Sequence, residues 1–272
     1  MIIAKKSLGQ NFLKDRYYKK KIVESCNIKK GDFVVEIGPG MGDLTEILLN
    51  SEADLVTAIE IDKRLQEHLE EKFKGTKLNL IKNDFIKTNP DLYIPKNNSV
   101  KVVGNLPYHI TSKIIFKIMD IIKEDIESEK IDSLTIMIQK EVALRLCAKH
   151  NNKAYGGITI LTDLFCKKEI LFDVPPEAFV PKPKVVSTVM QFKVLKNNPY
   201  FRRLKDYKTL KTLVKTVFLN RRKMLRNTLK AFVDPHLIKT VDITRRPETL
   251  TIGEFIDLAN EIFIFMKSGG DS

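Results

Sequence analysis

The chain has 272 residues, 43% of them hydrophobic and 30% charged, and carries a formal net charge of +13. Those proportions describe an ordinary globular chain rather than a disordered or collagenous one, and the length allows one Rossmann-sized unit of roughly 180 residues plus a smaller one. No apolar run approaches the roughly 18 residues that span a bilayer and residues 1–6 lack a signal peptide's apolar stretch, so the cytoplasm is the expected compartment, with no membrane partner.

Residues 1–30 hold nine Lys/Arg against two acids and read as an N-terminal arm. From residue 31, apolar strands alternate with helical periods. Strands are expected over 33–37, 55–61 and 78–82, with helices over 43–50 and 63–74 between them. Strands spaced by single helices build a parallel, doubly wound sheet. The series continues with a strand over 99–103, a helix over 111–123, a strand over 134–139, and helices over 141–149 and near 157–165. Two β-rich segments, 169–174 and 185–195, close the sheet, separated by Pro175, Pro176, Pro181 and Pro183. A stretch so rich in residues that cannot donate to a ladder is a loop or an edge. From about Asn197 the pattern turns helical, with Leu204, Leu210, Leu213, Val214, Val217 and Phe218 on a helical period. The expected architecture is α/β, a Rossmann-like sheet domain over 1–198 followed by a small all-helical, basic domain over 199–272.

The positive charge is concentrated. Residues 193–230 hold thirteen Lys/Arg against one acid, Asp206, and with the arm set aside as well, the rest of the chain is at −6. A polyanion gains affinity from each phosphate a cation neutralises, so a confined basic excess points to nucleic acid, whereas a uniformly lysine-rich surface does not. Cys26, Cys147 and Cys166 lie far apart, and His68, His109, His150 and His236 fall in no two-ligand helical spacing, so no disulfide framework and no metal site are expected.

Glu36-Ile37-Gly38-Pro39-Gly40-Met41-Gly42 follows a strand and precedes a helix, the context of a glycine-rich nucleotide loop. Pro39 removes a backbone N–H from a loop that cradles a pyrophosphate by donating such groups, so a cofactor without phosphates suits it better. Glu60, 22 residues after Gly38 at the next strand's end, is placed to accept hydrogen bonds from both hydroxyls of a ribose. Asp84, just past the third strand, is placed to take an adenine amino group. After the fourth strand comes Asn105-Leu106-Pro107-Tyr108. The Asn105 amide oxygen and the Leu106 carbonyl can accept both hydrogens of an exocyclic amine and localise its lone pair. Pro107 stiffens the turn, and Tyr108 offers a ring to a flipped-out base. His109 is adjacent, but this chemistry calls for no strong base.

The strings Lys6-Ser7-Leu8-Gly9-Gln10-Asn11-Phe12-Leu13, Gly38-Pro39-Gly40, Asn105-Leu106-Pro107-Tyr108, Phe179-Val180-Pro181-Lys182-Pro183-Lys184-Val185 and Asn220-Arg221-Arg222-Lys223-Met224-Leu225-Arg226-Asn227 resemble the KsgA (RsmA) family of small-subunit rRNA adenine dimethyltransferases. The resemblance runs from about residue 5 to about residue 260. It implies a class I methyltransferase sheet, S-adenosyl-L-methionine as cofactor, and 16S rRNA in the small ribosomal subunit or its precursor as substrate, dimethylated at N6 of two adjacent adenosines near its 3′ end. A monomer with a role in ribosome assembly is expected. Carried over residue by residue, Asn11 and Leu13 contact the cofactor from the arm, Gly38, Gly40 and Glu60 hold its methionine end and ribose, and Asp84 and Asn105 flank its adenine and methyl ends. Phe179 stacks on the target adenine opposite Tyr108. Arg221, Arg222 and Arg226 are expected on the RNA backbone, with 222 and 226 one helical turn apart on a shared face. The rivals are a large-subunit rRNA adenine methyltransferase of the antibiotic-resistance type, a DNA adenine methyltransferase, whose tetrapeptide usually begins with Asp, and a non-catalytic RNA-binding assembly factor.

Overall fold

A computed structural model describes residues 3–5, 8–95, 98–124 and 130–268, so Lys6 and Ser7 of the N-terminal string lie outside the described residues. In chain order the first half forms β1 (Phe12–Leu13), α1 (Arg16–Ser25), β2 (Phe33–Ile37), α2 (Asp43–Leu49), β3 (Leu55–Glu60), α3 (Lys63–Lys72), β4 (Leu78–Lys82), β5 (Val100–Asn105) and α4 (Thr111–Glu124). The second half forms β6 (Ile131–Gln139), α5 (Lys140–Leu146), α6 (Gly157–Asp163), β7 (Cys166–Val174), β8 (Phe179–Val180), β9 (Ser187–Val194), α7 (Pro199–Arg203), α8 (Tyr207–Leu219), α9 (Leu225–Thr228) and α10 (Ile252–Ser268).

Seven strands make one sheet in the order β4-β3-β2-β5-β6-β9-β7. The pairs from β4 to β6 are parallel, and β9 runs antiparallel to β6. Parallel strands are covered on both faces and read as near-continuous apolar runs, which is why Val34, Val35, Val56 and Val102 are all buried. Helix α4 shows the complementary pattern. Its Ile114, Ile115, Ile118, Met119, Ile121 and Ile122 recur at helical spacing and are buried, each contributing about 1.5–3 kcal/mol by leaving water. Chain order reverses between β2 and β5, and the crevice at the carboxyl ends of those strands is where such sheets bind ligands. Gly104 permits the close approach there, since a Cβ on it would stand 2.7 Å from the Ile37 carbonyl oxygen.

The arm is more ordered than its charge suggests. Asp15 caps α1 by accepting from the Tyr17 and Tyr18 amides, and Ile22 and Val23 anchor the helix in the core. Just before it, β1 pairs with β8, Phe12 opposite Val180 and Leu13 opposite Phe179.

The chain divides into two compact units, Met1–Ala143 with Lys167–Lys196, and Leu144–Cys166 with Asn197–Ser272. The boundary expected after residue 198 is thus corrected in one respect: the segment from Leu144 to Cys166 belongs with the helical unit. The reason is packing. A Cβ on Gly157 of α6 would stand 2.8 Å from a Val214 methyl of α8, the rings of Tyr155 and Phe218 meet edge-on at 6.1 Å, and Phe165 packs against Phe201 and Tyr207 at 5.2 and 5.6 Å.

Candidate active site

A cavity of about 320 Å³ opens at the carboxyl ends of β2, β3 and β5, wholly within the first unit. That volume lies in the roughly 300–1,000 Å³ range of small-molecule sites. Asn11, Leu13, Gly38, Gly40, Glu60, Asp84, Asn105, Leu106, Pro107 and Tyr108 all line it.

Positive φ shapes the glycine loop at Gly38 (68°) and Gly40 (60°), a conformation most side chains strain to adopt. At Gly40 the turn directs the amide to Glu60, whose Oε2 accepts it at 3.2 Å. The other Glu60 oxygen accepts the Asp62 amide at 2.8 Å. Loop and strand end are thereby joined through one carboxylate, which burial pushes toward a raised pKa despite these backbone donors. Asp84 turns its Oδ1 to the Ile86 amide at 2.9 Å, so it caps the turn after β4 while lining the cavity.

Sequence reasoning passed over Glu36. It is 1% exposed, lines the cavity, and accepts a 2.6 Å bond from the Thr45 hydroxyl. Burial, with the Glu60 and Asp43 charges adding to it, raises its pKa to about 7. The available signal was a lone acid in the apolar strand Phe33–Ile37, a pattern that costs energy unless a partner is supplied. With Asp43, four carboxylates line the cavity against one lysine, Lys113. Such a wall suits a cationic ligand bearing hydroxyl and amine donors, as S-adenosylmethionine does, and suits a pyrophosphate poorly.

Asn105 ends β5 beside Met137 of β6. Its Nδ2 donates to the Asn11 carbonyl at 2.9 Å. Only the NH₂ end of an amide can donate to a carbonyl, so Oδ1 is the end left to accept. The Leu106 amide donates to the Met137 carbonyl at 3.0 Å, and the Pro107 carbonyl accepts from the Ile110 amide and the Thr111 hydroxyl at 3.2 and 3.0 Å, turning the chain into α4. Tyr108 is half-buried, its hydroxyl 2.6 Å from that of Ser187. The arm is tethered as well: Gln10 and Lys5 reach the buried Asp62 carboxylate at 3.1 and 3.3 Å, beside Arg64 at 2.7 Å. Arg64, then Gln10 and Lys5, hold the Asp62 carboxyl well below the usual carboxylate range. This tether places Asn11 against Asn105, and nothing in the sequence pattern announced it.

Two expectations need correction. Phe179 is 2% exposed and its ring belongs to the core cluster around Leu13, Val174 and Val189, so its faces are occupied and it does not line the cavity. The stacking role expected for it does not fit this placement. In the second unit, Arg222 and Arg226 do not share a helix face, because α8 ends at Leu219 and α9 begins only at Leu225. Both remain exposed, but Arg221 is half-buried, donating to the carbonyls of Lys153 and Asn152 and lying 3.8 Å from Glu248. It ties a loop to a turn.

The family model for ribosomal RNA adenine dimethylase matches residues 2–263. A ribosomal RNA small subunit methyltransferase A of Ureaplasma urealyticum serovar 10 is 39% identical over 270 residues, 95% of this chain and 92% of that protein. One of the same description from Francisella tularensis subsp. tularensis is 39% identical over 265 residues, covering 94% and 97%. Among solved structures, a dimethyladenosine transferase from Plasmodium falciparum superposes with a TM-score of 0.71 at 26% identity, covering 95% of this chain and 98% of that one. A 23S rRNA methyltransferase, ErmE, shares the fold at 24% identity and a TM-score of 0.61, covering 93% and 99%. Since the family model spans nearly the whole length and both curated relatives align end to end, the chain belongs to the ribosomal RNA adenine dimethylase family.

Proposed function

We propose that the protein transfers methyl groups from S-adenosylmethionine to N6 of two adjacent adenosines near the 3′ end of 16S rRNA, giving N6,N6-dimethyladenosines in the small subunit or its precursor. The observation that carries this reading is Asn105, fixed at the end of β5 by its bond to the Asn11 carbonyl, with its acceptor oxygen left over at a carboxylate-lined cavity. The small-subunit description borne by relatives 39% identical supports the choice of 16S rRNA.

When bound, the cofactor supplies an electrophilic methyl group on a sulfonium. Glu60 holds the ribose hydroxyls, Asp84 the adenine amine, and Gly38 and Gly40 let the backbone pass close to the methionine end. The target amine is a poor nucleophile because its lone pair is delocalised into the purine. Asn105 Oδ1 and the Leu106 carbonyl accept its two hydrogens and draw the nitrogen toward tetrahedral geometry, which frees the lone pair. Alkylation makes the nitrogen cationic and its proton strongly acidic, so water can remove it without a dedicated base. The monomethyl product keeps one N6 hydrogen, enough for one of the two acceptors to orient it for the second transfer. Tyr108 receives the face of the flipped-out base, while the basic segment of residues 193–230 holds the RNA backbone without choosing the base. The enzyme works as a monomer in the cytoplasm in this reading.

The test is to incubate the protein with labelled cofactor and undermethylated small subunits and map the modified nucleotides. Two adjacent dimethylated adenosines in 16S rRNA are expected. Label confined to 23S rRNA points to the large-subunit kind of enzyme, and RNA binding without label points to a non-catalytic assembly factor.

A further inference from the structure

Tyr108 leaves the carboxyl end of β5 by a short turn, and a ring on such a turn swings unless its far end is held. What holds it comes from β9, two strands along the sheet. Because β9 runs antiparallel to β6, its first residue, Ser187, lies opposite β6's last, Gln139, at the same sheet edge as the cavity. The ladder fixes Ser187 firmly, since the Lys140 amide donates to the Val186 carbonyl at 3.0 Å and Ser187 is 0% exposed. Its hydroxyl meets the Tyr108 hydroxyl at 2.6 Å. A buried serine at the head of a strand needs a partner for its hydroxyl, and here that partner is the far end of the ring assigned to base capture. Burial raises the Tyr108 pKa, so the phenol stays protonated and the contact remains a neutral hydrogen bond at physiological pH.

We propose that Ser187 is a positioning residue for the methyl acceptor: its hydroxyl locks the Tyr108 ring in the orientation that receives the flipped-out adenine. Ser187 does not line the cavity, and its role runs through the ring alone. Locking the ring in advance removes the cost of ordering it when the base arrives, so the bond acts on the population of flipped-in base rather than on RNA or cofactor affinity. The inference rests on the assignment of Tyr108 as the stacking surface.

A double-mutant cycle on the full-length enzyme, read as single-turnover methylation at saturating RNA, tests both and separates them. Ser187→Ala and Tyr108→Phe remove the same bond from opposite ends, and each is expected to slow methylation about three- to tenfold, the range of one modest hydrogen bond. Cofactor and RNA dissociation constants should stay within about twofold of wild type. The double variant should be no slower than either single one, because the bond can be lost only once. Tyr108→Ala, which removes the ring, is expected to be slower by a further factor of about ten, as base–aromatic stacking is lost. If Ser187→Ala fails to fold, Tyr108→Phe still deletes the contact and carries the test. Losses that multiply in the double variant, or wild-type rates in Ser187→Ala and Tyr108→Phe beside a slow Tyr108→Ala, overturn the positioning role and leave Tyr108 as the stacking surface. A wild-type rate in Tyr108→Ala overturns the stacking assignment itself.

Discussion

Replacing Asn105 by alanine removes two bonds of unequal consequence. The first is structural, the 2.9 Å donation from Nδ2 to the Asn11 carbonyl, which ties the arm to the catalytic turn. A single neutral hydrogen bond of this kind contributes about 0.5–1.5 kcal/mol net, so cofactor affinity, through the arm residues that line the cavity, should weaken by no more than about tenfold. The second is the proposed acceptance of an N6 hydrogen by Oδ1, a bond that strengthens as the nitrogen becomes cationic. Losing one group aimed at charge developing in the transition state costs about 2.7–4 kcal/mol, a factor of roughly 10²–10³ in the chemical step. The inequality is the test. Single-turnover methylation of undermethylated small subunits should fall by that larger factor, while cofactor binding measured by calorimetry moves by the smaller one. If turnover stays above about a tenth of wild type, the barrier has risen by less than about 1.4 kcal/mol and the lone-pair mechanism is wrong.

Glu60→Ala should weaken cofactor binding by about 1.5–3 kcal/mol, the scale of hydrogen bonds to a charged group, and unchanged affinity in calorimetry removes the ribose assignment. Glu36, raised by burial to about 7, is protonated in the free protein below that pH, and a cationic ligand favours its ionised form. Binding therefore releases a proton below about pH 7, and affinity should rise with pH, by at most about tenfold per unit, before levelling off. Glu36→Gln should flatten that profile, and a slope that persists in the variant assigns the proton elsewhere. In the second unit, Arg222→Ala with Arg226→Ala should weaken rRNA binding and flatten the salt dependence by about 0.7–0.9 per lost phosphate contact, with the modified positions unchanged. A wild-type salt slope marks them as merely solvated. Arg221→Ala should instead lower the unfolding midpoint, since its guanidinium is spent on the carbonyls of Lys153 and Asn152.

The parallel half of the sheet was legible because its interior strands must be apolar on both faces, its edge strand β4 need be so on only one, and each crossover helix is apolar on one. Strands at 33–37 and 78–82 stand at the residues the alternation marks. The acids at strand ends were legible for the same reason, as polar residues placed where apolar runs stop. What stayed hidden lacks periodicity. Two-residue β1 and β8 are too short to show a repeat, and they exist only because they pair with each other across the length of the domain. Phe179 sits in a motif-like string, but a string cannot say whether a ring faces solvent or core. The spacing of Arg222 and Arg226 implied a shared face only while one helix was assumed to run through them, and the break after Leu219 dissolves it. The segment around Gly157 was assigned to its sequence neighbours, although its apolar face is matched by α8 some fifty residues later.

In the first unit the cavity wall carries more acids than cations. Glu36, Asp43, Glu60 and Asp84 line the cavity against one lysine, Lys113, and Lys19 pairs with Asp43 at 2.7 Å. A phosphate entering such a cavity meets like charge and loses on entry. An uncharged base pays no such penalty. On the proposed reading, the same carboxylates that favour a cationic methyl donor disfavour the acceptor's phosphates while admitting its base. Asn105 stands where the two requirements meet, since it is uncharged and offers an acceptor to an amine without adding a further carboxylate to the wall. An aspartate there would place a carboxylate oxygen against the Asn11 carbonyl, where the amide now donates. The choice of Asn over Asp at the head of the tetrapeptide follows from the arm that lies against it.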